Sequence, residues 1–135
     1  MKKIVVATVV LNKNDEILLL QRASGKSWGG RWNFPGGKYD STDKDLMSAA
    51  KRETQEEAGI TVSDLEFMGK VRYKSFDMYI YSTRTYEGEV KINDESDDFK
   101  WVKANELSEY EFPMNGIINW HIYDAIVNLA GDNNE

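Results

Sequence analysis

Three glutamates crowd one end of a single helix-forming segment, and that crowding constrains the chain more than any other feature. From about Thr42 to Ala58 the residues follow helical periodicity, with Leu46, Met47, Ala50, Thr54 and Ala58 on one weakly apolar stripe. Ser41 or Thr42 can cap the start, with Asp45 as the acid of a capping box, and Gly59 follows as a residue able to take a positive φ. Glu53, Glu56 and Glu57 fall three and four residues apart, so they project from one side of the helix. Like charges at that spacing repel, and the C-terminal end of a helix disfavours anions. A hard divalent cation among the carboxylates removes both costs. The Glu stripe borders the apolar stripe, which puts the acids at the edge of the body, where a cleft could lie. A plain solvated acidic face is the competing explanation. It leaves Arg52, the paired Gly36-Gly37 and the terminal Gly59 unaccounted for.

Around this helix the chain reads as strands. Residues 3–11 (KIVVATVVL) are β-branched, Asn12-Lys13-Asn14-Asp15 is a turn cluster and Ile17–Gln21 is a second strand, together a hairpin. Residues 23–31 form a loop, residues 32–34 a short extended piece, and Pro35-Gly36-Gly37 a break. Further strands are expected at about 66–74, 77–86 and 98–103, with a short helical turn at 105–109. A last amphipathic helix, about 116–130, places Ile118, Ile122, Ile126 and Leu129 inward. The fold class is α/β, a mixed sheet packed between helices. With 135 residues and no linker, repeat or low-complexity tract, a single domain spanning 1–135 is expected.

Composition narrows the chemistry. There is no cysteine and His121 is the only histidine, so thiolate sites, disulfides and two-histidine zinc motifs are excluded. Any metal must be held by oxygen, which points to magnesium, manganese or calcium. His121 reads as an ordinary helix residue. Net charge is −6, yet residues 1–38 carry seven basic and two acidic groups. An acidic chain is a poor binder of nucleic-acid polymers, while a small polyanion remains compatible with local cations and a metal. No apolar run reaches the ~18 residues of a membrane span, and the N-terminus reads as a strand without an export signal. A cytoplasmic location and a small-molecule partner are therefore expected; the oligomeric state is not set by the sequence.

The stretch Gly37…Arg52-Glu53-Thr54-Gln55-Glu56-Glu57-Ala58-Gly59-Ile60 resembles the signature of the Nudix hydrolases, G-x5-E-x7-R-E-U-x-E-E-x-G-U with U apolar. Phe34-Pro35-Gly36-Gly37-Lys38 resembles the entry common in MutT-like members, and Glu95-Ser96-Asp97-Asp98-Phe99-Lys100-Trp101-Val102 their downstream acidic strand. There are two departures. The Gly37-to-Arg52 span is one residue longer than the pattern, so that Lys44 occupies the first glutamate position, with Asp43 or Asp45 available to stand in. Thr54 replaces the apolar residue after Arg-Glu.

The resemblance implies a Nudix α/β/α sandwich that hydrolyses a nucleoside diphosphate linked to another moiety, using Mg²⁺ or Mn²⁺. A MutT-like nucleoside triphosphate pyrophosphohydrolase is the leading reading. ADP-ribose, nucleotide sugars and dinucleoside polyphosphates are the rival substrates, and a non-catalytic nucleotide sensor or a calcium-binding module the rivals of other classes. It implies Glu53, Glu56, Glu57 and the Gly37 carbonyl as metal ligands, Arg52 as the orienting partner of a glutamate, and Glu53 or Asp98 as general base. Arg22 and Lys38 are candidate phosphate contacts; Phe34, Trp32 or Trp28 could stack on a base, and Asn115 could read its edge or cap the last helix. The tyrosines at 73, 79, 81, 86, 110 and 123 read mainly as packing.

Overall fold

A computed structural model of the chain describes residues 2–113 and 120–131. Two apolar runs near the N-terminus organise it. β1 (Lys3–Val10) lies between β4 (Gly36–Lys38), antiparallel, and β7 (Phe76–Thr83), parallel; β6 (Glu66–Arg72) pairs antiparallel with β7 and closes a four-stranded mixed sheet, order β4-β1-β7-β6. β2 (Glu16–Arg22) is the centre of a second sheet, between β3 (Trp32–Asn33) and β9 (Ser96–Lys103). A third pair joins β5 (Thr61–Ser63) to β8 (Thr85–Glu87). α1 (Leu46–Ala58) covers one side and α2 (Trp120–Ala130) the other; a 3₁₀ turn (Ala104–Glu109) follows β9.

Strand alternation explains why the first two strands are apolar throughout. Ala7, Val9 and Leu11 with Ile17 and Leu19 join the core under α2, where Ile122 and Ile126 are buried. Val6 and Val10 with Leu18 and Leu20 join the core under α1, with Ala49, Ala50, Ala58, Ile60 and Tyr81. Both faces are covered, giving the α/β/α arrangement. Small residues on α1 let it approach closely. Thr54, fully buried, donates its hydroxyl to the Ala50 carbonyl at 2.8 Å, so the departure at that position is satisfied within the helix.

Three expectations need correction. The first two strands form no hairpin: beyond one bridge, Leu11 to Ile17, they belong to different sheets. Each is buried on both faces and needs its own neighbours. The 12–15 turn, in which Asn12 Oδ1 accepts from Asn14 N and Glu16 N, hands the chain from one sheet to the other. Helix α1 starts at Leu46: its N-cap is Asp45, which accepts from Ser48 N at 2.7 Å. Residues 40–43 are instead closed into a turn by Asp40, whose carboxylate accepts from Thr42 N and Oγ1. The expected 77–86 strand breaks at Arg84, whose guanidinium reaches Asp15 (2.6 Å) and the Leu129 carbonyl (2.9 Å). The last helix is described from Trp120, with Leu129 partly buried; Asn115, Ile118 and the His121 side chain lie outside the described residues. No helix among the described residues is long and apolar enough to cross a membrane.

Gly59 ends α1 with φ 73°, and its N–H donates to the Gln55 carbonyl. A β-carbon there would lie 2.9 Å from the Lys91 carbonyl oxygen. Gly59→Ala should therefore cost about 1–3 kcal/mol through strain and crowding, read as a lower urea midpoint at unchanged slope.

Candidate active site

The site is built where α1 crosses β4. Gly36 leaves no room for a side chain beside the backbone of Val6 and Ala7, and a β-carbon on Gly37 would run into the Glu53 carboxyl. The two glycines thus let the glutamates of α1 lie directly against strand backbone. Glu57 Oε1 accepts from Gly36 N at 3.1 Å. Glu53 and Glu57 are half-buried and Glu56 is exposed.

Arg52 ties the parts together. Its Nε and Nη2 grip both oxygens of Asp43 at 2.8 and 3.0 Å, Nη2 also donates to the Lys38 carbonyl at 3.1 Å, and Nη1 reaches Glu53 at 3.2 Å and Glu56 at 3.4 Å. Asp43 is therefore the acid standing in at the lengthened segment, Asp45 is the cap, and Lys44 is exposed. The guanidinium holds Asp43 below the usual carboxylate range, and Asp43 in turn raises Arg52. Burial pushes Glu53 up. It pushes Glu57 up to about 7, with the nearby charges of Glu53 and Glu95 adding and the Gly36 N–H and Arg22 opposing.

Glu95 is a member of this cluster that the sequence reading missed. The segment before β9 is pinned under the end of α1: Lys91 N donates to the Ala58 carbonyl (2.8 Å) and Asn93 Nδ2 to the Glu56 carbonyl (2.9 Å). Those bonds satisfy helix-end carbonyls and carry Glu95 towards Glu57. Arg22 Nη1 faces Glu95 at 3.4 Å. The acid run at 94–98 was a visible signal, but sequence could not tell which member turns inward. Asp98 sits on β9 opposite Gln21, exposed, its carboxylate accepting from Phe99 N.

All the acidic donors here are hard oxygens, which fits Mg²⁺ or Mn²⁺. As the side chains stand, no three acids or histidines among the described residues converge closely enough to hold an ion. Glu53 and Glu57 are turned onto Arg52 and Gly36 N, so holding a cation requires their carboxylates to re-aim.

Beside the acids opens an apolar cleft of about 230 Å³, lined among others by Val71, Met78, Ile80 and Phe112, and also by Asn33, Phe34 and Arg22. A smaller pocket lined by Glu57, Glu95 and Gly36 shares Arg22, Asn33, Phe34 and Pro113 with it, so the two adjoin across those side chains. Phe34 is 5% exposed and packs on Phe112 (5.4 Å between centroids), which makes it cleft wall and core at once. Trp28 also lines the cleft. Trp32 is engaged elsewhere, edge-on to Tyr110 with Lys100 over its ring. Lys38 presents an exposed side chain.

The NUDIX domain family model matches residues 1–124. The 8-oxo-dGTP diphosphatase of Escherichia coli (strain K12) is 30% identical over 118 residues, covering 84% of this chain and 90% of that one. The asymmetrical bis(5′-nucleosyl)-tetraphosphatase of Rattus norvegicus is 28% identical over 113 residues, covering 74% of each. A solved structure of MutT, from work on the Aliivibrio salmonicida and Vibrio cholerae proteins, superposes with TM-score 0.76 at 27% identity, covering 96% of this chain and 97% of that one.

Burial of Glu57 has a sign that can be measured in metal-free protein. Its folded pKa, about 7, lies above the ordinary 4.5, so its contribution to stability is full below pH 4.5 and lost as pH rises through about 7. The loss is on the order of 3 kcal/mol. Glu57→Gln keeps an acceptor for Gly36 N and should abolish that decline, leaving the metal-free variant more stable than wild type at pH 8. Mg²⁺ should raise the Tm of wild type at pH 8 and leave that of the variant nearly unchanged.

Proposed function

This chain belongs to the NUDIX domain family and is a hydrolase of nucleotide phosphoanhydride bonds, and we propose that it cleaves purine nucleoside triphosphates to monophosphate and pyrophosphate. The observation that carries the proposal is that an apolar cleft, suited to a base, adjoins an acidic pocket, suited to metal-bound phosphates, across Arg22 and Asn33, which line both. The 8-oxo-dGTP diphosphatase relatives give the same direction.

In this reading Glu53, Glu56, Glu57 and the Gly37 carbonyl would hold Mg²⁺, or Mn²⁺. When bound, such an ion would screen the phosphate charge and make water more acidic. Glu53 takes the proton of the attacking water, with Arg52 fixing its carboxylate. Attack at phosphorus breaks one P–O–P bond and releases pyrophosphate, nucleoside monophosphate and a proton. Arg22 and Lys38 offset the phosphate charge, Arg22 exchanging Glu95 for substrate oxygens. Asn33 reads the base. Its Oδ1 accepts from Phe34 N at 2.9 Å, and Asn33 lines the cleft, so its Nδ2 is the group offered as a donor to the base. A donor favours the keto oxygen of a guanine-type base, 8-oxoguanine included, over the amino group of adenine. The cysteine-free composition accords with a cytoplasmic setting.

Incubation with Mg²⁺ and a panel of dGTP, 8-oxo-dGTP, dATP, ADP-ribose and a dinucleoside tetraphosphate, with products resolved by chromatography, tests this. Pyrophosphate should appear fastest from the guanine-type triphosphates. Cleavage confined to ADP-ribose or the dinucleotide overturns the substrate assignment, and stoichiometric binding without turnover favours a sensor. Glu57→Gln should lower turnover roughly 100-fold or more, and Asn33→Leu should erase the preference for guanine over adenine.

A further inference from the structure

Trp28 is held in a backbone conformation that bulky residues rarely adopt. Its φ is 63°, in the left-handed region, where a bulky side chain is a genuine outlier. It is also one of two large apolar side chains that stay exposed among the described residues, at 46%. Such strain persists only where the surroundings over-determine it, and the 23–31 loop does so. Lys26 N and Gly29 N close successive turns onto the Ala23 and Lys26 carbonyls, Arg31 N donates to the Trp28 carbonyl, and Gly30 N returns to the Arg22 carbonyl. Ser24 N is held by Asp97 Oδ2 at 3.0 Å. Gly29 is packed so tightly that a β-carbon would lie 2.7 Å from the Ser24 carbonyl oxygen. The side-chain anchor is Arg22, whose Nε donates to the Ser27 carbonyl at 3.1 Å while its Nη1 faces Glu95.

The product of this bracing is an indole at the rim of the apolar cleft, with Tyr73 stacked on Phe76 (4.6 Å between centroids) also among the lining residues. We propose that Trp28 is a specificity-determining residue that stacks on the substrate base and selects purine over pyrimidine nucleotides, its strained backbone fixed by Arg22 at the phosphate end of the same site. This rests on the functional reading above. The physical basis is area: an indole overlaps a two-ring base more fully than a one-ring base, and each base–aromatic stack is worth a measurable factor in affinity. Because the same guanidinium holds the Ser27 carbonyl and faces Glu95, base and phosphate recognition share one anchor.

Trp28→Gly separates this role from a structural one, because glycine adopts a positive φ without strain. The variant should keep or slightly raise Tm, keep kcat within about threefold, and raise KM for a purine triphosphate about 10-fold or more. Its purine-to-pyrimidine ratio of kcat/KM should fall towards one, and Trp28→Phe should restore part of it. If wild type releases pyrophosphate but the glycine variant keeps its KM and its selectivity, this inference is overturned alone. A fallen Tm with selectivity intact overturns it too, by making the indole a packing group. If wild type hydrolyses no nucleoside triphosphate, the functional reading falls and this inference with it.

Discussion

The bidentate grip of Arg52 on Asp43 is the interaction on which the site depends. One guanidinium spans the turn before α1, the carbonyl at the end of β4, and two glutamates of its own helix. Without it, the longer segment between Gly37 and α1 has no fixed end, and Glu53 loses its partner. The pair is more than a surface ion pair worth a few tenths of a kcal/mol. It is two-pronged, the Asp43 side chain is only 6% exposed, and the same carboxylate accepts from Asp40 N. The geometry therefore sets loop conformation and acid orientation together.

The acidic cluster shows the familiar opposition between function and stability. Glu57 sits half-buried among other acids at the end of a helix, where burial and its acidic neighbours oppose its charge and only the Gly36 N–H and Arg22 favour it. A fold selected for stability alone would place an apolar residue there. The chain instead keeps the carboxylate and gives it a single backbone N–H, Gly36, which a ligand can compete for.

Much of this was legible in the sequence, for reasons that can be named. Helical spacing identified α1 and its acids because periodicity and the Gly59 stop agree. The β-branched run at 3–11 and the apolar run at 17–21 identified β1 and β2 because burial on both faces leaves an unmistakable composition. Their partners were not legible: a turn cluster between two strands looks the same whether the strands pair with each other or part into separate sheets. Long-range register, such as Ile17 with Val102, carries no local signal. The stand-in acid stayed open between Asp43 and Asp45 because both are one residue from the expected position; only the direction of Arg52 decides. Glu95 escaped for the same reason, since four acids in five residues differ only in which way the backbone turns them.

The parallel pairing of β1 with β7 has a consequence for how the chain reaches this structure. Lys3 meets Phe76 and Val10 meets Thr83, so β1 finds its parallel neighbour only across a long stretch of intervening chain, whereas its antiparallel neighbour β4 lies much nearer in sequence. Contacts this distant in sequence slow folding, because loop-closure entropy must be met before any hydrogen bond forms. During that interval an apolar strand destined to be covered on both faces stays open to other chains. Lys2 and Lys3 stand at the head of that strand, and charges flanking an apolar strand disfavour its pairing with other chains while it is uncovered.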